Sequence, residues 1–141
     1  MAEQVSGSDG FRLRVYYEDT DLAGIVYHAN YLKFIERARS EALLGLGVDQ
    51  LALQAEAGLV FAVRRIEADF LAPARFQDRL LVTTRLLALG GARIDLDQRI
   101  WREESCLFRA VVVLACLDAG GRPQRLPASV RAAAAGLAKP G

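Results

Sequence analysis

The sequence predicts an α+β protein in which one long helix packs on an antiparallel sheet, and three observations predict it. A single extended stretch, running to about Leu44, carries apolar residues at helical spacing, and only one strand-like run comes before it. Four strand signals then follow one another between Leu59 and Leu117 with short turns between them. A helix with one apolar face must bury it, and a following run of strands supplies the surface. No internal repeat and no Gly- or Pro-rich linker divides the chain. Residues 1–141 therefore read as one domain, with flexible tails expected at 1–9 and 136–141.

The elements follow in order. Phe11 to Tyr16 alternates apolar and polar residues, as a half-buried strand does. His28 or Asn30 is placed to cap the long helix. Its apolar face reads Tyr31, Phe34, Ile35, Ala38, Ala42 and Leu46, with Lys33, Arg37 and Glu41 on another face and Gly45 and Gly47 as the stop. A shorter helix is expected over Asp49–Ala57. In the strand from Leu59 to Leu71, Val60, Ala62, Ile66, Ala68 and Phe70 share a face broken by Arg64, and Pro73 ends the run. Arg79–Leu89 and Ala92–Trp101 are strands joined by a Gly90-Gly91 hairpin turn. Ser105–Leu117 is apolar on both faces, which suits a central strand or one that faces a partner subunit. Pro127 opens a short C-terminal helix through the alanine run.

Composition removes several function classes. The formal net charge is +1, from 18 basic and 17 acidic residues, so there is no electrostatic case for a general nucleic-acid partner. The N-terminus is polar and lacks the basic start and apolar run of a secretory signal. Val111–Leu117 is far too short to span a bilayer, and no other apolar run is longer. Cys106 and Cys116 sit in an apolar run without metal-type spacing and read as small core hydrophobes. A cytoplasmic location is the expectation.

Chemistry concentrates in Tyr16-Tyr17-Glu18-Asp19-Thr20-Asp21-Leu22-Ala23-Gly24-Ile25-Val26-Tyr27-His28-Ala29-Asn30-Tyr31. This strand-to-helix connection holds three carboxylates, a glycine and the protein's sole histidine. At a helix start the first backbone N–H groups are unpaired and can face a ligand. Glu18 and Asp19 read as neighbours on a strand, pointing opposite ways, and a calcium-loop glycine pattern is missing, so no metal is expected. There is no phosphate-cradling Gly-rich motif and no Gly-x-Ser-x-Gly elbow.

The residues Tyr17-Glu18-Asp19-Thr20-Asp21, Ala23-Gly24-Ile25-Val26-Tyr27-His28, Asn30-Tyr31, Phe34, Glu36 and Ala38-Arg39 closely resemble the hotdog-fold acyl-CoA thioesterases. The match is to the 4-hydroxybenzoyl-CoA thioesterase family, and within it to the tol-pal-associated branch. It continues more weakly through Phe61-Ala62-Val63-Arg64, Ala72-Pro73-Ala74-Arg75, the Gly90-Gly91 hairpin and Leu126-Pro127. The resemblance implies a curved antiparallel sheet wrapped around the long helix. It also implies homodimers with edge-to-edge sheets and shared active sites, and homotetramers built from them. The expected reaction is hydrolysis of a short-chain or other acyl-CoA to free acid and coenzyme A, without a bound cofactor, coenzyme A being part of the substrate.

The resemblance also implies roles. Asp21 is the catalytic carboxylate, either attacking the thioester or activating water, and the residues leave both routes open. The His28 backbone N–H polarises the thioester carbonyl, and its ring activates water or orients the carbonyl. Tyr17 orients Asp21 or the thioester. Gly24, Val26, Tyr27, Glu36 and Arg64 are expected to bind substrate, although for Glu36 the leading reading is an ion pair with Arg39 that supports the loop. Apart from the resemblance, Arg64, Arg65 and Arg93 read first as solvated surface residues; Arg64, on a face otherwise apolar, is the best placed of them to meet the phosphates of coenzyme A. Two alternatives are a scaffold that binds acyl carrier protein or lipid-synthesis enzymes with weak thioesterase activity, and a hotdog hydratase or dehydratase.

Overall fold

A computed structural model describes the backbone of residues 5–7 and residues 10–138 with their side chains. The elements are β1 (Val5–Gly7), β2 (Gly10–Arg14), a short 3-10 turn (Tyr17–Asp19), α1 (His28–Gly45), α2 (Gln50–Ala57), β3 (Val60–Phe70), β4 (Arg79–Leu89), β5 (Arg93–Arg102), β6 (Ser105–Leu117) and α3 (Ala128–Ala135). The strands form one sheet in the order β1-β2-β4-β5-β6-β3. β2 pairs antiparallel with β1 and with β4, where Phe11 faces Val82 and Leu13 faces Leu80. β4, β5 and β6 follow one another through short turns, the arrangement that makes antiparallel neighbours. The α+β class is as expected, and β6, apolar on both faces, is an interior strand between β5 and β3.

The chain groups into two compact units. One comprises the chain through Ala42, Ala68–Thr84 and Gln98–Ala110. Its core is the buried face of α1, with Tyr31, Phe34, Ile35 and Ala38, together with Leu13, Val82, Ile100 and Phe108. The other comprises Leu43–Glu67, Arg85–Asp97 and the chain from Val111 onward, around Leu43, Leu86, Ile94, Leu96, Val112, Leu114 and Val130.

Several local expectations shift. Leu46 is exposed beyond the end of α1, and Leu43 takes the buried position, because the helix stops at Gly45 and three-to-four-residue spacing from Ala38 and Arg39 selects 42 and 43. Arg39 is buried, although its neighbours on the polar side, Lys33, Arg37 and Glu41, are exposed. Asp49 is the cap of α2, its Oδ1 accepting from the N–H groups of Leu51 and Ala52 at 3.0 and 3.2 Å. Val5–Gly7, within the tail expected at 1–9, pairs with β2, and Leu137 and Ala138, within that expected at 136–141, are tied in: Leu137 is buried and the Ala138 carbonyl accepts from the Leu86 N–H at 2.9 Å. Residues 1–4, 8–9 and 139–141 of those tails lie outside the described residues. Cys106 and Cys116 are free thiols, Cys116 fully buried. Among the described residues no helix is long and apolar enough to cross a membrane.

Candidate active site

The connection between β2 and α1 is built almost entirely from local hydrogen bonds. After Val15 the chain leaves the ladder and makes the 3-10 turn Tyr17–Asp19, so Glu18 and Asp19 are not neighbours on a strand as expected. The reason lies in Asp19: its Oδ2 accepts from the Tyr16 N–H at 2.8 Å, a short-range bond that competes with strand pairing. The Asp19 carbonyl accepts from the Tyr27 N–H at 2.9 Å and from the Asn30 side chain, also at 2.9 Å. Asp19 is thus a structural anchor. Asn30 reaches back to the loop rather than capping the helix, which begins at His28.

Thr20 and Val26 form an isolated bridge that closes the loop Asp21–Ile25. Inside it the Asp21 N–H donates to the Ile25 carbonyl at 2.9 Å, and the Gly24 N–H donates to the Asp21 carbonyl at 2.9 Å. The Asp21 carboxylate is exposed; Oδ1 accepts from the Ala23 N–H at 2.9 Å, an Asx turn that fixes that oxygen. Gly24 has φ +79°, the left-handed region, and a Cβ there would meet nothing within 4 Å. Its glycine is required by backbone conformation, and the side a Cβ would occupy is open.

His28 is the first residue of α1, so its N–H has no carbonyl one turn back inside the helix. That donor and its neighbours are the positive end of an eighteen-residue helix. The His28 ring is exposed and lies 4.6 Å, centroid to centroid, from Tyr27 and 6.3 Å, edge-on, from Phe70. Phe70 and Tyr27 are each about half exposed (53% and 46%), giving the histidine an accessible apolar wall. Phe70 continues inward to Tyr31 and Phe108, whose rings stack at 5.2 Å.

The other expected residues are placed as follows. Val26 is buried, and its N–H donates to the Ala74 carbonyl at 2.8 Å, so its side chain is core. Tyr17 is 82% exposed on the 3-10 turn, its ring 6.2 Å from Phe76. Glu36 is exposed on α1 and accepts from the Ser40 hydroxyl at 3.3 Å. The buried Arg39 guanidinium instead reaches the Gln98 side chain at 3.4 Å; burial pulls its pKa down, and the nearby Glu36 charge pushes it back up. In the second unit, Arg64 and Arg93 line an open groove of about 530 Å³ with Gly90, Gly91 and Pro123. Among the described residues no group of three His, Cys, Asp or Glu side chains could hold a metal ion.

Reading the sequence missed the segment that backs this loop. Ala74 is fully buried; its N–H donates to the Tyr31 hydroxyl at 3.0 Å and its carbonyl accepts from Val26. Ile25 and Arg75 form a further bridge. The Ala72-Pro73-Ala74-Arg75 run signalled a strand end, and nothing in it signals which loop it will meet.

Comparison with known proteins places this geometry. The model of the thioesterase superfamily matches residues 23–107, a segment that contains His28 and begins two positions after Asp21. The chain is 44% identical over 124 residues to the acyl-CoA thioesterase YbgC of Haemophilus influenzae, spanning 87% of this chain and 91% of that protein. Among solved structures, a probable thioesterase from Bartonella henselae is 42% identical, with a TM-score of 0.80 over 84% of this chain and 98% of that one. Slr0204, a 1,4-dihydroxy-2-naphthoyl-CoA thioesterase from Synechocystis, is 27% identical, with a TM-score of 0.84 over 93% of this chain and 98% of that one.

Proposed function

The chain belongs to the thioesterase superfamily, with its hotdog fold, and from that membership we propose how this thioester hydrolase works: it cleaves acyl-CoA to free acid and coenzyme A at the Asp21–His28 loop. The observation that carries the reading is local. A single loop closed by the Thr20–Val26 bridge presents an exposed carboxylate and, two residues after the bridge, the free N–H of a helix start.

Hydrolysis needs the carbonyl oxygen stabilised as it gains negative charge. The His28 N–H, at the positive helix end, supplies a preorganised donor; such donors are worth about 2.7–4 kcal/mol of barrier. The exposed carboxylate of Asp21 then either attacks the carbonyl carbon or takes a proton from an attacking water. In the first route a mixed anhydride forms as the C–S bond breaks and thiolate leaves, and water hydrolyses the anhydride. In the second, water adds directly and the same bond breaks. The His28 ring is the candidate to orient the water or carbonyl, and Tyr17 and Tyr27 flank the site. The apolar wall of Tyr27 and Phe70 suits an acyl group, aliphatic or aromatic.

The phosphates of coenzyme A are assigned to the groove between Arg64 and Arg93, two guanidinium groups beside the exposed backbone of the Gly90-Gly91 turn. Among the described strands β3 has a sheet neighbour on one side only, and it is eleven residues long. A free edge of that length favours pairing with a second copy of the chain, consistent with a homodimer.

Asp21→Asn tests the central assignment. Asparagine preserves the Asx-turn acceptor, so the loop keeps its shape while the charge is lost. Release of free thiol from a panel of acyl-CoA substrates should fall by about a thousandfold or more, with circular dichroism unchanged. Wild-type turnover in this variant would remove Asp21 from the chemistry.

A further inference from the structure

The hydroxyl of Tyr31 sits at a junction that none of the assigned roles uses. We infer that Tyr31 is a positioning residue for the hydrolysis reaction, its hydroxyl holding the Asp21 loop in register with the start of α1 through the main chain of Ala74. The inference rests on the active-site reading given above.

The chain of contacts is continuous. Tyr31 lies in the first turn of α1, three residues after His28. Its oxygen accepts from the Ala74 N–H at 3.0 Å, and the same residue's carbonyl accepts from the Val26 N–H at 2.8 Å. Val26 is half of the bridge that closes the Asp21 loop. The helix carrying the carbonyl-polarising donor and the loop carrying the carboxylate are therefore joined through one buried residue, Ala74, by its N–H on one side and its carbonyl on the other, as well as by the backbone between them. Each link is a hydrogen bond made by buried groups: Tyr31 and Val26 are nearly buried and Ala74 is wholly buried. Leaving one unmade costs its full desolvation penalty, so the links are kept.

The far side of the Ala74 segment is also fixed, which is what lets it serve as a reference point. Arg102 on β5 reaches the Asp78 carboxylate at 2.7 Å and the Pro73 carbonyl at 3.3 Å. Asp78 in turn accepts from the Arg75 N–H at 2.8 Å. The Tyr31 ring itself is pinned, stacked on Phe108 and edge-on to Phe70 and Phe34. A hydroxyl so placed has little freedom; burial is the main cause that raises its pKa, the Ala74 N–H and Arg102 oppose the rise, and the charges of Asp78 and Asp21 add to it.

Tyr31→Phe removes only the oxygen and keeps the ring stack. Measured well below its melting temperature, the variant should show kcat lowered about tenfold or more with KM within about twofold, because a small displacement of reacting groups is costly while substrate contacts persist. Leu80→Ala, a core truncation in β4 outside the candidate site, serves as the stability control and should lower Tm at least as much with kcat unchanged. Wild-type kcat in Tyr31→Phe, or an equal kcat loss in Leu80→Ala, overturns the inference. Asp21→Asn is assayed alongside: if it retains wild-type turnover, the active-site reading falls and this inference with it, whereas an inactive Asp21→Asn beside a fully active Tyr31→Phe removes the inference alone.

Discussion

The Gln98 side chain donates from Nε2 to the Ile35 main-chain carbonyl at 2.8 Å, joining β5 to the middle of α1. The same nitrogen donates to the Thr84 hydroxyl at 2.9 Å, and the Gln98 oxygen accepts from Arg39 at 3.4 Å. Gln98 is wholly buried on the inward face of a strand whose other inward residues are Ile94, Leu96 and Ile100. A polar side chain in such a place persists because all of its groups are satisfied, and it also gives a buried guanidinium an acceptor.

Gln98→Leu should therefore destabilise the protein by about 1–3 kcal/mol, since it leaves Arg39 without its acceptor in a buried position. Arg39→Met in the Gln98→Leu background should recover part of that loss, because an apolar pair of similar size no longer leaves a charge unmatched. Urea unfolding of the four members of this cycle gives the coupling. A coupling of zero would mean that the long 3.4 Å contact contributes nothing.

Stability should fall on the alkaline side in two stages. Burial raises the Cys116 thiol above its ordinary value of 9.0. Burial also raises the Tyr31 phenol above 10.0, and the charges of Asp78 and Asp21 add to the rise while the Ala74 N–H and Arg102 oppose it. For a group whose folded pKa is raised, the stabilisation is complete below the unfolded value and is lost as pH climbs through the folded one. Unfolding free energy should therefore decline from about pH 9 upward and more steeply above about pH 10, with Cys116→Ala flattening the first part and Tyr31→Phe the second. A wild-type profile flat to pH 11 would contradict this.

Much of the fold was legible because burial imposed a period. β4 and β6 run over the residues that their alternation and apolar content marked, Arg79–Leu89 and Ser105–Leu117. Arg39 and Gln98 were not legible as partners: each breaks the pattern of its own element, and 59 residues separate them. The turn that carries Glu18 and Asp19 off the strand was not legible, because one Asp19 oxygen decides it, a local bond that periodicity does not register. At the site, the Asp21–His28 stretch was visible as a crowded connection, whereas the Tyr31–Ala74 bond, across 43 residues, exists only once the chain has folded.

If the groove lined by Arg64 and Arg93 takes the phosphates of coenzyme A, as proposed, its arginines serve binding and not chemistry. Arg64 is exposed and interrupts a strand face of otherwise apolar residues, and Arg93 makes a 3.3 Å ion pair with Asp95, so neither is needed to fill a core. If they hold phosphate, replacing both with alanine raises KM for acyl-CoA about tenfold and leaves kcat nearly unchanged. The wild-type KM should also rise with added salt, since exposed ion pairs are screened, and the variant should lose most of that dependence. An acyl-pantetheine thioester, which keeps the reacting carbonyl and lacks the phosphates, supplies the decisive comparison. It should be hydrolysed by wild type and variant with the same kcat/KM. A variant impaired equally on both substrates would show that the arginines support the fold or the thioester site rather than the phosphates.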